Sequence, residues 1–179
     1  MSTAEPLVSD EAPAVAAFRK KVRDWLDSTA PAHGWLNTPG ATRRRVGVGD
    51  EDAVARNHAC QKALFDAGFA GLSWPKEYGG QGLALREQII FNEESSKYDL
   101  PLAIYIIGLG MCGPTLLAVG SEEQKQRYIP PMLRGEEVWC QLFSEPGAGS
   151  DVAGLTMRAV RDGDEWVLNG QKIWTSGAH

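Results

Sequence analysis

The sequence predicts a chain with two structural regimes: an all-α region over residues 1–136, then the first strands of an antiparallel sheet over residues 137–179. Before Gly135, apolar residues recur with the spacing of amphipathic helices, and after it they alternate as in strands. Two hairpin dipeptides, Asp162-Gly163 and Asn169-Gly170, divide the alternating part. Three or four strands fit there, which leaves the sheet open, so we expect the second domain to be incomplete.

Helical spacing begins near the start of the chain. Asp10 can cap a first helix that has Pro13 in its first turn, and we expect Ala30-Pro31 to end this helix. The stretch 31–50 is rich in Gly, Pro and Arg and predicts a long loop. A second helix is expected over about residues 52–67, with Gly68 as its C-terminal cap. The side chains predicted to face the core from these helices are Val15, Phe18, Val22, Trp25, Leu26, Cys60 and Leu64.

A glycine-rich turn and further helices follow. The segment 71–82 carries Trp74 and Tyr78 as aromatic anchors. A third helix is expected over about residues 85–98, Pro101 can open a fourth, and another ends at Gly120. Ser121 and Gln124 have the spacing of a capping box, and we expect Pro130-Pro131 to stop the helix that it opens.

The composition excludes several classes of protein. The 179 residues carry 18 Lys and Arg against 23 Asp and Glu, a net charge of -5, which argues against a nucleic-acid-binding protein. The longest apolar stretch has about 13 residues, whereas a membrane span needs about 20, and no signal peptide is expected. Cys60, Cys112 and Cys140 lie too far apart for a disulfide framework or a zinc site, and we predict no metal site. The expected location is cytoplasmic.

One glycine pattern, Gly108-Leu109-Gly110-Met111-Cys112-Gly113, matches the fingerprint of a dinucleotide-binding fold. The fingerprint requires a strand before it, a helix after it and a second strand beyond, but Pro130-Pro131 lie where that second strand would run. A nicotinamide-dependent enzyme is therefore one interpretation. The other is a close approach of helices through glycine, and we expect no NAD binding.

A second glycine pattern, residues 144–151, follows a predicted strand over Val138–Phe143. Small residues let its backbone amides form an anion-binding concavity, flanked by the hydroxyls of Ser144 and Ser150. The segment Trp174-Thr175-Ser176 can place an indole and two hydroxyls around a planar heterocycle. Together they predict a nucleotide-like cofactor. The alternatives are that the first segment is only a turn and that Trp174 is a core strand residue.

Two stretches of the β region, Gln141–Asp151 and Asn169–Gly177, resemble the signature of the acyl-CoA dehydrogenases. The segment 71–82 and the segment 120–136 resemble the helical domain of the same family. These features occur in order over about residues 10–179. The resemblance implies an all-α N-terminal domain (1–136), a β-barrel-like middle domain that begins at residue 137 and is truncated here, and a four-helix C-terminal domain.

The family binds FAD, and the resemblance assigns parts of that site to residues of this chain. Residues 141–144 would lie along the flavin ring, with the Ser144 hydroxyl bonded to it; the family usually has Thr there, and Ser lacks the methyl that fixes the rotamer. Ser150 would also touch the pantetheine arm of an acyl-CoA substrate. The cofactor-binding residues implied are Gln141, Leu142, Phe143, Ser144, Gly149, Ser150, Trp174, Thr175 and Ser176.

The family removes a proton and a hydride from the α and β carbons of an acyl thioester, giving the enoyl-CoA. Its catalytic base is a carboxylate of the C-terminal domain, so the resemblance assigns no catalytic residue here, and we expect a fragment that is inactive alone. An electron-transfer flavoprotein is the implied acceptor, and a homo- or hetero-oligomer the implied assembly of the parent. A second hypothesis is a non-catalytic interaction subunit, or decayed short paralogue, that pairs with a larger dehydrogenase through its open sheet edge.

Overall fold

The computed structural model describes residues 12–37, 46–47 and 49–176, and these fall into two compact units. The first unit contains the described residues up to Asn37 together with Cys60–Pro101, and the second contains those of Arg45–Ala59 and Leu102–His179. The predicted fold class is confirmed, because helices are followed by a small antiparallel sheet that is not closed. The predicted cap at residue 10, and residues 38–45 and 48 of the predicted loop over 31–50, lie outside the described residues.

Helix α1 spans Pro13–His33 and buries the predicted apolar face, with Val22 and Leu26 fully enclosed. The prediction that Ala30-Pro31 ends it was wrong: Pro31 lies inside the last turn, and Gly34 ends the helix in a left-handed conformation (φ 68°). A proline near the C-terminus costs one backbone hydrogen bond, and the buried Ala30 and the glycine cap together outweigh that loss.

Helix α2 spans Glu51–Asp66, and α3 spans Leu85–Ser95, three residues shorter at its end than predicted. Asp50 caps the start of α2 by accepting a hydrogen bond from the Ala53 amide at 3.1 Å. Cys60 and Leu64 are buried as predicted. In the first unit, the Phe69 ring lies at the centre of the core, where its centroid is 5.1–6.4 Å from those of Phe18, Trp25 and Phe91.

The glycine-rich turn over residues 71–82 contains a position at which a side chain would not fit. A Cβ on Gly80 would lie 2.3 Å from the Trp74 carbonyl oxygen, well inside van der Waals contact. The turn folds back on itself through hydrogen bonds from the Gln81 and Gly82 amides to the Gly71 and Trp74 carbonyls, at 3.0 and 2.8 Å. Glycine at this position is therefore needed for a close backbone approach.

Helices in the second unit replace the strand that a dinucleotide-binding fold would need. Residues Ala103–Tyr105 form a 3-10 turn and Gly108–Cys112 a π-helical turn, which continues into α4 (Gly113–Val119). A Cβ on Gly108 would lie 3.4 Å from the Trp139 Cβ and 3.8 Å from the Met132 Cγ, which is ordinary van der Waals contact, so this helical turn is packed against its neighbours. Of the two interpretations of the pattern Gly108–Gly113, helix packing fits the structure and the dinucleotide-binding fold does not.

Helix α5 spans Glu122–Arg134 and begins at the predicted capping box, in which Gln124 N donates to Ser121 Oγ at 3.2 Å and Ser121 N donates to Gln124 Oε1 at 2.9 Å. The prediction that Pro130-Pro131 stops it was wrong, since both prolines lie inside the helix and Gly135 ends it. The buried face of this helix explains the tolerance. Ile129, Met132 and Leu133 are fully enclosed, and their burial exceeds the cost of the two missing amide donors.

The described sheet has two strands, β1 (Arg158–Asp162) and β2 (Glu165–Asn169), paired antiparallel with Val160 opposite Val167. The first predicted hairpin is present, but its two-residue loop is Gly163-Asp164, one position later than the predicted dipeptide Asp162-Gly163, because Asp162 pairs with Glu165. The predicted strand over Val138–Phe143 and the second hairpin are not formed among the described residues, because neither segment finds a ladder of backbone hydrogen bonds.

Candidate functional site

The predicted glycine-rich segment is a tight turn in the second unit. The backbones of Glu145 and Ala148 exchange two hydrogen bonds, of 2.8 and 3.1 Å, and thereby close the turn around Pro146-Gly147. The next two residues, Gly149 and Ser150, are exposed, and their amides donate to no group within the described part of the chain. Unpaired amides beside a tight turn can bind the oxygens of a phosphate.

A buried carboxylate, which sequence reasoning did not select, organises this turn. Glu145 is only 5% exposed. One carboxylate oxygen, Oε2, accepts hydrogen bonds from the amide and hydroxyl of Thr156 at 2.7 and 2.8 Å. The other, Oε1, accepts from the Met157 amide and from Lys172 Nζ, both at 2.9 Å. These donors, the Thr156 amide first and Lys172 second, lower the pKa of Glu145 to about 2.

Lys172 connects the turn to the segment that carries the predicted aromatic wall. Its ammonium group donates to the Phe143 carbonyl at 2.8 Å as well as to Glu145. The neighbouring Ile173 amide donates to the Ser144 carbonyl at 2.9 Å. The structure therefore brings the segments 143–145 and 172–173 together, although they lie almost thirty positions apart in the sequence.

The predicted cofactor-binding side chains are open to solvent to different degrees. Gln141, Ser144 and Thr175 are half-buried, whereas Leu142, Phe143, Gly149, Ser150 and Ser176 are exposed. Trp174 is 85% exposed and its backbone is left-handed (φ 56°), a conformation that costs a non-glycine residue about 1–3 kcal/mol. Its indole contacts no other ring among the described residues, so the alternative of a core strand residue does not fit.

The chemistry that this arrangement offers is binding rather than proton transfer. It presents backbone amides, hydroxyls and the exposed rings of Phe143 and Trp174, and the buried carboxylate of Glu145 is fully occupied by four donors.

Within the residues that the structure describes, no cluster of His, Cys, Asp and Glu could hold a metal ion. A membrane-crossing helix is likewise not found in the described ranges, where every helix is too short or too polar.

Comparison with known families gives two adjacent matches that together cover most of the chain. Residues 13–136 match the domain described as "Acyl-CoA dehydrogenase, N-terminal domain". Residues 140–179 match the domain described as "Acyl-CoA dehydrogenase, middle domain".

Individual relatives agree with these matches. Acyl-CoA dehydrogenase IpdE1 of Mycobacterium tuberculosis is 41% identical over 166 residues, which cover 92% of this chain and 42% of that protein. A solved structure described as the Tcur3481-Tcur3483 steroid ACAD is 40% identical with a TM-score of 0.68, covering 99% of this chain and 42% of that one. The ChsE4-ChsE5 complex of M. tuberculosis is 30% identical with a TM-score of 0.65, covering 98% and 40%. The chain thus spans about two fifths of the length of these relatives.

Proposed function

Because the chain belongs to the acyl-CoA dehydrogenase family, we propose that it forms the N-terminal and flavin-facing parts of an FAD-dependent enzyme that converts an acyl-CoA to the α,β-enoyl-CoA. In this proposal residues 1–136 are the helical domain, and residues 137–179 carry the first part of the middle domain. The observation that carries it is the joining of the segments 143–145 and 172–173 beside an exposed turn and an exposed Trp174.

The residues present fit a flavin nucleotide. The amides of Gly149 and Ser150, which are unpaired within the described part of the chain, would meet the pyrophosphate. Apart from its sequence neighbours, no described residue has an atom within 4 Å of the position that a Cβ on Gly149 would take. Trp174 would pack on the ring system. Thr175 or Ser176 would bond near its reactive nitrogen, and the hydroxyl of Ser144 would bond the ring from the segment 141–144. Ser150 would also meet the pantetheine arm of the substrate.

Bound FAD supplies the hydride acceptor for the reaction, and the part of this chain is to bind and orient. The four donors around Glu145 exclude this carboxylate from acting as the base that removes the α-proton. We therefore assign no catalytic residue within these 179 residues and expect no dehydrogenation by them alone. The proposed enzyme acts in lipid metabolism in the cytoplasm, passes its electrons to an electron-transfer flavoprotein and works as an oligomer.

The test uses the native protein, captured from its source cells with an antibody against residues 1–179. Anaerobic addition of an acyl-CoA should bleach the absorbance of a bound flavin, while free coenzyme A should leave it unchanged. A captured protein that is colourless and cannot be loaded with FAD would overturn the proposal.

A second candidate function is that of an interaction subunit that completes a larger dehydrogenase. It is favoured by the apolar side chains that the hairpin leaves exposed, namely Val160, Trp166, Val167 and Leu168. Two of the structures similar to this chain carry paired names, ChsE4-ChsE5 and Tcur3481-Tcur3483. The same capture distinguishes the two functions, because a subunit without chemistry of its own should arrive with a larger dehydrogenase and lose the flavin when that partner is removed.

A further inference from the structure

No strand ladder among the described residues holds the turn over residues 144–151 in place. Its own two hydrogen bonds, between Glu145 and Ala148, close the turn but do not attach it to anything else. The two residues that follow are exposed and make no backbone bond through their amides in the described part of the chain. Among the described residues, one backbone hydrogen bond joins the turn to a distant segment, from the Ile173 amide to the Ser144 carbonyl at 2.9 Å, and the remaining long-range attachment comes from side chains.

The Glu145 side chain provides the attachment. Its two oxygens receive four hydrogen bonds from Thr156, Met157 and Lys172, at 2.7–2.9 Å. Lys172 is only 15% exposed at its side chain and donates also to the Phe143 carbonyl. One carboxylate thus joins three separate segments: the turn itself, the strand entry at 156–157, and the segment that leads to Trp174.

We propose that Glu145 is a positioning residue, which with Lys172 sets the turn over residues 144–151 against the Trp174 segment at the distance that a flavin nucleotide requires. This role rests on the proposed function. In that function Glu145 does not touch the reacting atoms and acts only by holding other groups in place. If one of the hydrogen bonds to Glu145 is lost, the backbones of Ser144 and Ile173 can move relative to each other. Both the phosphate-binding amides and the indole would then be misplaced.

The perturbation is Glu145→Gln, which keeps the size of the side chain. An amide offers only one acceptor oxygen, so in either orientation two of the four donors would face an NH2 group. Lys172→Met removes the charge and leaves the carboxylate buried without a cation, whereas Lys172→Arg keeps a cationic donor. The matched control is Glu165→Gln, the same chemical change at an exposed residue of β2.

The measurements are made on the protein at the length found in its source cells. Hydrogen exchange at the Thr156, Met157 and Ile173 amides should become at least about tenfold faster in Glu145→Gln, since a hydrogen bond to a charged group is lost. FAD should bind about tenfold or more weakly, and the absorption spectrum of the bound flavin should differ from wild type even at saturating FAD. Lys172→Met should reproduce both changes, Lys172→Arg should restore most of the affinity, and the control should match wild type.

Three results would count against the role. Unchanged amide exchange would show that Glu145 does not hold the segments together. Faster exchange with the affinity and spectrum of wild type would show a structural bond that positions no flavin. If wild type itself binds no FAD, the proposed function fails and the positioning role fails with it, while the exchange data still report whether the carboxylate joins the three segments.

Discussion

Glu94 is a buried carboxylate in the first unit, and replacing it with glutamine tests whether its ion pairs hold α1 against α3. It is 3% exposed, and its oxygens accept hydrogen bonds from Arg19 at 3.0 Å, Arg23 at 2.9 Å and Lys97 at 2.6 Å. These bonds, with Arg23 first, lower the pKa of Glu94 from 4.5 to about 2. That difference in pKa corresponds to about 3 kcal/mol of stabilisation. Because the guanidinium of Arg23 is half-exposed, solvent screens the ion pair, and the expected contribution to stability is about 1–2 kcal/mol.

Glu94→Gln should therefore lower the free energy of unfolding by about 1–2 kcal/mol at pH 7, measured by urea unfolding followed by circular dichroism. Because the pKa of Glu94 is depressed in the folded state, its stabilisation is complete above about pH 4.5 and is lost as the pH falls toward 2. The difference between wild type and variant should close over that interval. The control Glu93→Gln, at an exposed neighbour bonded to Arg19, should change stability by less than about 0.5 kcal/mol. A difference as large at pH 3 as at pH 7, or equal effects of both variants, would show that the ion pairs of Glu94 do not stabilise the packing of α1 against α3.

Three further predictions concern local structure and are measured on the same chain. Gly80→Ala should destabilise it by about 1–3 kcal/mol, because the new Cβ collides with the Trp74 carbonyl. Gly47→Ala should be neutral, because no described residue beyond its sequence neighbours has an atom within 4 Å of its Cβ position. Equal unfolding midpoints for the two variants would contradict this. Ser121→Ala should cost about 1 kcal/mol of stability through loss of the capping hydroxyl, and an unchanged midpoint would show that the cap is not needed. The Tyr98 hydroxyl donates a hydrogen bond to the Asp27 carboxylate, and this bond raises the pKa of Tyr98 to about 12. Tyr98→Phe should therefore remove the step near pH 12 from the absorbance titration of the tyrosine side chains. A step lost near pH 10 instead would contradict the bond.

The sequence predicts local features of this fold well, because residues close in the chain determine them. The capping box at Ser121 and the glycine cap at Gly68 both depend on residues within one helical turn. The two wrong helix ends, at Pro31 and at Pro130-Pro131, have the opposite origin. Tertiary burial of Ala30 and of the α5 face carries those helices through prolines that would stop them in isolation.

The candidate site is harder to predict because its attachment is long-range. The residues expected to contact a cofactor can be chosen from the pattern of glycines, hydroxyls and an indole. Glu145 cannot, since its donors at 156, 157 and 172 become neighbours only after folding. From the sequence alone, a lysine at position 172 would be expected on the surface. In the structure it is largely enclosed and is bonded to the Phe143 carbonyl and the Glu145 carboxylate.

In the proposed site the exposed indole of Trp174 lies against a flavin, and the affinity of two tryptophan variants for FAD tests this placement. Trp174→Ala and Trp166→Ala each remove an exposed indole from the second unit. Only Trp174 belongs to the proposed site. In the protein at the length found in its source cells, Trp174→Ala should weaken FAD binding by about tenfold, the size of a lost aromatic stacking contact, and Trp166→Ala should leave it unchanged. Equal affinities of both variants and wild type would show that Trp174 does not contact the flavin.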